Sequence, residues 1–242
     1  MQYKEELDLL RQQIPIGIRH GLNLLTKSNG DINHARRLFE NEMIEVVIAK
    51  TSVSPEIAEK HLLASEYDIA KALASVDEER FTLSERILQK TKGNKELALD
   101  LIGGNLEDAK KLKRNYWLKL DELEGLSPVQ YCLLVVKEWL DYEDYEGFDD
   151  AIYFYADIVA QQIEEQLLLP ELANGLRIAR KLGDELFEQH KRKGSAKKLP
   201  LVSSQLNENP VYISSRNRFK NSRLLLIDRL YDLVVNNVDQ FS

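Results

Sequence analysis

The sequence predicts an all-α protein in which three copies of a three-helix repeat precede a helical C-terminal domain with a long basic loop. Apolar residues recur at spacings of three and four along the 242 residues, and the alternation of β-branched residues typical of strands is missing. A period of 37 residues relates three sets of positions, namely Leu25, Leu62 and Leu99; Ile32, Ile69 and Leu106; and Ala35, Ala72 and Ala109. Such a unit must pack against its neighbours to bury its apolar face. The period therefore predicts an array with a binding function.

The period also sets the predicted domain boundaries. The first copy covers residues 1–40, the second covers 41–78, and a degenerate third copy covers 79–114. A helical domain follows over 115–242 and includes the basic loop at 191–223.

The first copy contains a break at residues 14–17 and a turn before its third helix. We expect Gly30 to supply the unusual backbone angles of this turn and Asp31 to cap the helix that follows. In the second copy Ser54 is the expected cap, and Pro55 occupies the first helical position. In the third copy we expect the paired glycines and Asn at 103–105 to form the corresponding turn.

The C-terminal domain is predicted to contain longer helices. Ser127 and Pro128 begin one helix, which we expect to end at an acidic turn over residues 141–150. A second helix is predicted from Asp149 or Asp150 through Leu168, and a third begins at Pro170. Residues 193–222 show little periodicity and contain two prolines, which favours a long loop before a final helix over 223–238.

The repeats resemble a known family. Residues 10–39 are similar to the N-terminal three-helix domain of elongation factor Ts, and more broadly to ubiquitin-associated (UBA-like) domains. The matching positions in the first copy are Leu10, Arg11, Gly17, Leu24, Leu25, Asn29, Gly30, Asp31, Ile32, Ala35 and Leu38. Residues 47–76 resemble the same domain. The resemblance implies compact modules that bind partner proteins through a loop and an adjoining helix face.

Two departures from the family pattern limit what the resemblance implies. No segment similar to the TDFVA-type motif is present, so nucleotide exchange is not implied. The first break also lacks the Met-Gly-Phe or Met-Gly-Tyr loop typical of ubiquitin binding. The expected protein-binding residues are those that correspond to the family's binding loop, namely Ile16, Gly17, Ile18, Val53 and Ser54.

Composition indicates a cytoplasmic protein. Cys132 is the only cysteine and forms no intrachain disulfide, and the N-terminus has no apolar stretch of signal-peptide length. No apolar run approaches the roughly 18 to 20 residues needed to cross a bilayer. We therefore expect no membrane association.

The net charge of −7 conceals a strong segregation of charge. Residues 138–171 contain eleven acidic residues and no Lys, Arg or His, whereas residues 191–223 contain nine cations and one acid. The candidate sites for nucleic acid or an acidic partner are these cations: Lys191, Arg192, Lys193, Lys197, Lys198, Arg216, Arg218, Lys220 and Arg223. Three interpretations remain open, because the basic segment is suited to phosphate contacts, to an acidic protein, or to docking on residues 138–171.

Motifs for metal, cofactor or catalytic chemistry are not found. The four histidines show no HExxH spacing, and one cysteine does not make a zinc site of the usual kind. The acidic residues before Gly147 fail the EF-hand register, because Tyr142 would stand at the first ligand position. We expect no cofactor and no enzymatic activity. A helical enzyme with acidic chemistry over residues 141–157, including Asp157, is kept as an alternative.

Half of the ten tyrosines lie within 25 residues, at Tyr131, Tyr142, Tyr145, Tyr153 and Tyr155. Tyrosine is favoured in interfaces but also at the edge of a helical core, and the sequence alone does not separate these two roles. The preferred hypothesis is a non-catalytic protein-binding adaptor that presents small apolar patches in series. The resemblance to elongation factor Ts makes a translation-linked partner the first expectation, and nucleic-acid binding is the second.

Overall fold

The computed structural model describes residues 2–192 and 198–241, and every regular element in that part of the chain is helical. The all-α prediction is therefore confirmed. The chain divides into two compact units, Met1–Thr82 and Leu83–Ser242, which are called the N-terminal and C-terminal units below. No helix in the described part of the chain is long and apolar enough to span a membrane.

The N-terminal unit contains two three-helix modules that share a helix. Its helices are α1 (Lys4–Gln13), α2 (Ile18–Lys27), α3 (Ile32–Thr51), α4 (Pro55–Ala64) and α5 (Ile69–Arg80). Phe39 lies in the first core and Val47 in the second, while Met43 packs against both. Helix α3 thus passes through the predicted boundary at residues 40 and 41 and serves both modules.

The predicted caps of this unit are confirmed. Asp31 accepts a hydrogen bond from the His34 amide at 3.0 Å, and Asp68, 37 residues later, accepts one from Lys71 at 3.1 Å. Ser54 caps α4, with Pro55 at its first position. A side-chain acceptor at this position stabilises a helix start because the first amides have no partner within the helix.

The C-terminal unit has one large core. Its helices are α6 (Leu83–Lys90), α7 (Lys95–Lys110), α8 (Pro128–Glu146), α9 (Phe148–Ala151), α10 (Ala156–Glu165), α11 (Pro170–Arg192), α12 (Lys198–Glu208) and α13 (Pro210–Val235), and a short 3-10 helix covers Val238–Phe241. Ser127 caps α8 as predicted, and Gln130 completes a capping box with it.

The turn predicted at residues 103–105 is wrong, because all three residues lie within α7. Gly103 faces Leu134 of α8, and a Cβ atom added at Gly103 would lie at ordinary van der Waals distance from it, 3.9 Å. Leu99, Ile102 and Leu106 belong to the core of the C-terminal unit. The core of the C-terminal unit therefore contains α7 as one continuous helix where the repeat predicts two.

The predicted acidic turn is wrong in part, because α8 extends through Glu146. The helix predicted from Asp149 or Asp150 to Leu168 is also interrupted. Helices α9 and α10 are separated by residues 152–155, and Tyr155 has a left-handed backbone with φ of 50°.

The long basic loop is wrong over the described residues, since 198–208 and 210–235 are helical. Asn209 caps α13 by accepting hydrogen bonds from Val211 and Tyr212, and Pro210 occupies the first helical position. Proline is compatible with that position because the amide it lacks would have no helical partner. The two prolines therefore gave a misleading loop signal.

Candidate interaction surface

The loop that connects α7 to α8, residues 111–127, is anchored in the core of the C-terminal unit. Leu118 and Leu120 are buried, and the Tyr131 hydroxyl of α8 donates a hydrogen bond to the Leu120 carbonyl at 3.0 Å. Near the end of the loop the Lys110 ammonium donates to the Gly125 carbonyl at 3.2 Å. These contacts hold the loop at several points along its length.

An ion pair between an accessible arginine and a buried carboxylate provides a further anchor. Glu138 of α8 is only 2% exposed, and its carboxylate accepts hydrogen bonds from Arg114 at 3.0 Å and from the Leu118 amide at 2.6 Å. The guanidinium of Arg114 also pairs with Glu107 of α7 at 2.7 Å. Burial raises the pKa of Glu138 above its ordinary value, and the Leu118 amide and Arg114 oppose this effect. Arg114 therefore ties the loop to both flanking helices.

Tyr116 projects from this anchored loop. Its side chain is 91% exposed, and its backbone has a φ of 62°, which is unfavourable for a residue other than glycine. The next amide, of Trp117, donates to the Asn115 carbonyl at 2.9 Å, and Arg114 donates to the Tyr116 carbonyl at 3.4 Å. These contacts restrict the backbone conformation of Tyr116. They thus hold its large aromatic ring in a position exposed to solvent.

Trp117, the residue after Tyr116, belongs to a cluster of aromatic rings. The ring centroid of Trp117 lies 5.1 Å from Tyr142, 6.2 Å from Tyr145 and 5.9 Å from Phe154. Phe154 stacks on Tyr142 at 4.1 Å. The Tyr145 side chain is 78% exposed. The aromatic surface is defined here as the exposed Tyr116, the half-buried Trp117 that follows it, and the exposed Tyr145 of the ring cluster.

The five clustered tyrosines therefore have different roles. Tyr142, Tyr145 and Tyr155 belong to the ring cluster, because Tyr155 contacts Phe154 at 5.0 Å. Tyr131 anchors the loop instead. Tyr153 lies under the Arg180 guanidinium, 4.9 Å from its ring centroid.

The predicted protein-binding residues of the N-terminal unit are only partly accessible. Ile16 and Val53 are buried, whereas Gly17 and Ser54 are exposed and Ile18 is 53% exposed. Ile18, which begins α2 directly after the first break, is therefore the accessible apolar side chain among these five residues.

The predicted cations are dispersed over several elements. Lys191 and Arg192 end α11 and are exposed, and Lys191 pairs with Glu188 at 3.1 Å. Lys193 and Lys197 lie outside the described residues, and Lys198 begins α12. The other four cations, Arg216, Arg218, Lys220 and Arg223, lie along α13.

Three of the α13 arginines pair with the acidic segment 138–171. Arg216 lies 3.6 Å from Asp149, Arg218 donates to Glu171 at 3.0 Å, and Arg223 donates to Glu143 at 2.8 Å. Arg223 also bonds Asp144. Three of the nine cations and four of the eleven acidic residues are thus paired with each other within the C-terminal unit.

The acidic residues of this segment also have structural partners. Asp149 accepts hydrogen bonds from the Tyr212 hydroxyl at 2.6 Å and from Asn207 at 2.9 Å. Asp157 is exposed in the first turn of α10. Within residues 2–192 and 198–241, no group of three or more His, Cys, Asp or Glu side chains is arranged to hold a metal ion.

The α7–α8 loop is a candidate site that sequence reasoning missed. Residues 110–119 contain five cations and the adjacent aromatics Tyr116 and Trp117, a composition similar to that of the basic segment that was singled out. A search of the sequence for cations interleaved with aromatic residues finds this segment. It does not reveal that Glu138 anchors the loop, because Glu138 is distant in sequence.

Comparisons with known proteins agree with the division of the chain. A family model described as the YfbN C-terminal domain matches residues 82–239, which is nearly the whole C-terminal unit. A relative from Escherichia coli (strain K12), described as uncharacterized protein YfbN, is 38% identical over 189 residues, which cover 78% of this chain and 79% of the relative. No solved structure matches the chain. The chain belongs to the YfbN family.

Proposed function

We propose that this protein is a non-catalytic protein-binding adaptor whose main contact is the aromatic surface. The observation that carries the proposal is Tyr116, which is 91% exposed on a loop fixed by Arg114 and Glu138. An exposed ring on a mobile loop would be ordered only on binding, at an entropic cost. An anchored loop is already ordered before binding, so the entropic cost of binding is smaller.

Aromatic residues supply a large share of interface energy. Tyr and Trp are enriched among residues whose truncation weakens binding most, because they bury much area while losing few rotamers. The aromatic surface combines such rings on the loop with Tyr145 from α8. Its position supports contact with a protein, since a partner covering it would bury three neighbouring aromatic side chains.

The N-terminal unit is proposed as a second, weaker contact. Its two three-helix modules support the resemblance to UBA-like domains, and Ile18, directly after the first break, is an accessible apolar residue. Two weak contacts on one chain strengthen each other through effective concentration. A translation-linked partner in the cytoplasm is the corresponding proposal for the cellular role.

Nucleic-acid binding through residues 191–223 is the less favoured function. Phosphates would have to compete with Glu143, Asp149 and Glu171 for the α13 arginines. The net charge of −7 also opposes the approach of a polyanion.

The test is capture of partners by the full-length protein from its source cell, with and without nuclease, followed by quantitative mass spectrometry. The single variants Tyr116→Ala and Tyr145→Ala remove rings of the aromatic surface. Leu224→Ala is the matched control, since Leu224 is an exposed apolar residue of α13.

The proposal predicts a stoichiometric protein partner that survives nuclease. Recovery should fall about tenfold or more with Tyr116→Ala, as for a residue at the centre of an interface, and should not change with Leu224→Ala. Equal recovery by Tyr116→Ala and wild type would contradict the role of the aromatic surface. Recovery that disappears with nuclease would support nucleic-acid binding instead.

A further inference from the structure

A cavity of about 400 Å³ adjoins the aromatic surface in the C-terminal unit. Its apolar lining includes Leu112, Leu123 and Trp117, and its cations are Lys113, Arg114 and Lys119. This volume lies within the range of about 300 to 1,000 Å³ that is usual for ligand pockets. The cavity can hold an apolar side chain and at the same time offers positive charge at its wall.

The three cations differ in how far their charge is compensated. Arg114 pairs with Glu107 and Glu138, and Lys119 pairs with Glu122 at 2.7 Å. Among the described residues, the exposed Lys113 forms no ion pair. Two further lysines lie just before the cavity. Lys110 bonds only a neutral carbonyl, and Lys111 is exposed without an ion pair to a described residue. The chain therefore places three lysines without an acidic partner among the described residues just before Tyr116 and Trp117, namely Lys110, Lys111 and Lys113.

We propose that the cavity beside Trp117 binds an acidic peptide segment of the partner protein, whose carboxylates pair with Lys113 and its neighbours while an apolar side chain enters the cavity. This inference rests on the proposed function and specifies the chemistry of the partner. Opposite charge around an aromatic contact speeds association and selects against basic partners. The neutral and apolar part of the lining supplies the remaining contact area.

The surroundings of Trp117 favour a peptide over a nucleic acid. Tyr142, Tyr145 and Phe154 lie within 6.2 Å of its ring, so much of the area on which a base would stack is already occupied by the protein. A nucleic acid would also extend over the acidic residues of α8, including Asp144 and Glu146. A short peptide needs only the local positive charge.

The test uses the full chain with a random copolymer of glutamate and tyrosine as the probe. A copolymer of lysine and tyrosine is the charge-inverted control, and single-stranded oligodeoxythymidylate tests the nucleic-acid alternative. Trp117 and Trp139 are the only tryptophans, so Trp139→Phe makes Trp117 the sole reporter of binding by fluorescence. If that variant fails to fold, anisotropy of a labelled copolymer on the wild-type chain measures the same affinity.

The expected result is binding of the glutamate–tyrosine copolymer with a change in Trp117 emission, weakened by salt and absent for the lysine copolymer. Lys113→Glu should weaken this binding about tenfold or more, as expected when a charge-assisted hydrogen bond is lost, whereas Lys113→Arg should retain it. Lys181→Glu, at an exposed lysine of α11, should have little effect.

Absence of copolymer binding, or equal binding by Lys113→Glu and wild type, would overturn the inference. Stronger binding of the oligonucleotide with the same dependence on Lys113 would also overturn it in favour of nucleic acid. Failure here is distinguishable from failure of the adaptor function. A captured partner that depends on Tyr116 but not on Lys113 would leave the adaptor proposal intact and remove only the acidic peptide.

Discussion

The same sequence repeat adopts different structures in the N-terminal and C-terminal units. In the N-terminal unit the period is kept to the residue, because α4 begins 37 residues after α2 and α5 begins 37 residues after α3. In the third copy the last two helices of the repeat are replaced by the single helix α7, which is followed by the anchored loop that carries Tyr116. A repeat pattern in sequence therefore specifies a structure only where the packing around it is also repeated.

The difference is clearest at three equivalent positions. Gly30 and Tyr67 adopt left-handed conformations, with φ of 85° and 62°, and make the turns before Asp31 and Asp68. Gly104, which is 37 residues after Tyr67, is helical. Burial of Ile102 and Leu106 in the core of the C-terminal unit favours the helix there over the turn that the local sequence predicts.

The largest expected effect is in the C-terminal unit, on removal of Arg114. Arg114→Ala should lower the free energy of unfolding by about 1.5–3 kcal/mol, because the buried carboxylate of Glu138 loses its charged partner and keeps only the Leu118 amide. Urea unfolding followed by tryptophan fluorescence measures this, since both tryptophans lie in this unit. Arg177→Ala, which breaks an accessible pair with Glu164, should cost at most about 1 kcal/mol. Similar costs for the two variants would show that the Glu138 anchor is unimportant.

Alanine at the equivalent glycines should change stability in opposite directions. Gly30→Ala should cost about 1–2 kcal/mol, because alanine is strained in a left-handed conformation and its Cβ would lie 2.8 Å from the Tyr3 ring. Gly104→Ala should stabilise α7 by about 0.5–1 kcal/mol, because nothing lies within 4 Å of the added Cβ. Urea unfolding followed by far-ultraviolet circular dichroism measures both changes. A destabilising Gly104→Ala would indicate a turn in the third copy.

Alanine substitution at the equivalent capping positions of the three copies should give a smaller difference in stability. Asp31→Ala and Asp68→Ala should each cost about 1 kcal/mol, because an amide at the start of a helix loses its acceptor. Asn105→Ala should be neutral or stabilising by a few tenths of a kcal/mol, since Asn105 lies inside α7. Thermal unfolding by circular dichroism ranks the three variants. Equal losses at all three positions would contradict the distinction between the two units.

The smallest effect concerns the pH dependence of the N-terminal unit. Burial and the hydrogen bond to Glu40 raise the pKa of Tyr67 from 10.0 to about 12. The protonated hydroxyl therefore contributes stability below pH 10, and this contribution is lost as the pH rises through about 12. The difference in unfolding free energy between wild type and Tyr67→Phe should shrink over that interval. A constant difference would contradict the raised pKa.

Much of the fold follows from the sequence, but much of the candidate site does not. The caps at Asp31, Ser54 and Ser127 were predictable because each depends on residues only a few positions apart. The helical state of residues 198–222 was missed because its evidence is tertiary, with Val202, Leu206 and Phe219 buried in the core. The anchoring of Tyr116 depends on a contact between Arg114 and Glu138, 24 residues apart, which local patterns do not reveal.

The proposed adaptor function requires that a partner contacts the aromatic surface of the C-terminal unit more than the breaks of the N-terminal unit. Hydrogen exchange of the captured complex, compared with that of the free protein, tests this directly. We expect new protection in residues 112–126 and around Tyr145, with smaller changes at residues 16–18 and 53–54. Protection confined to the N-terminal breaks, with none around Tyr116 and Tyr145, would contradict it.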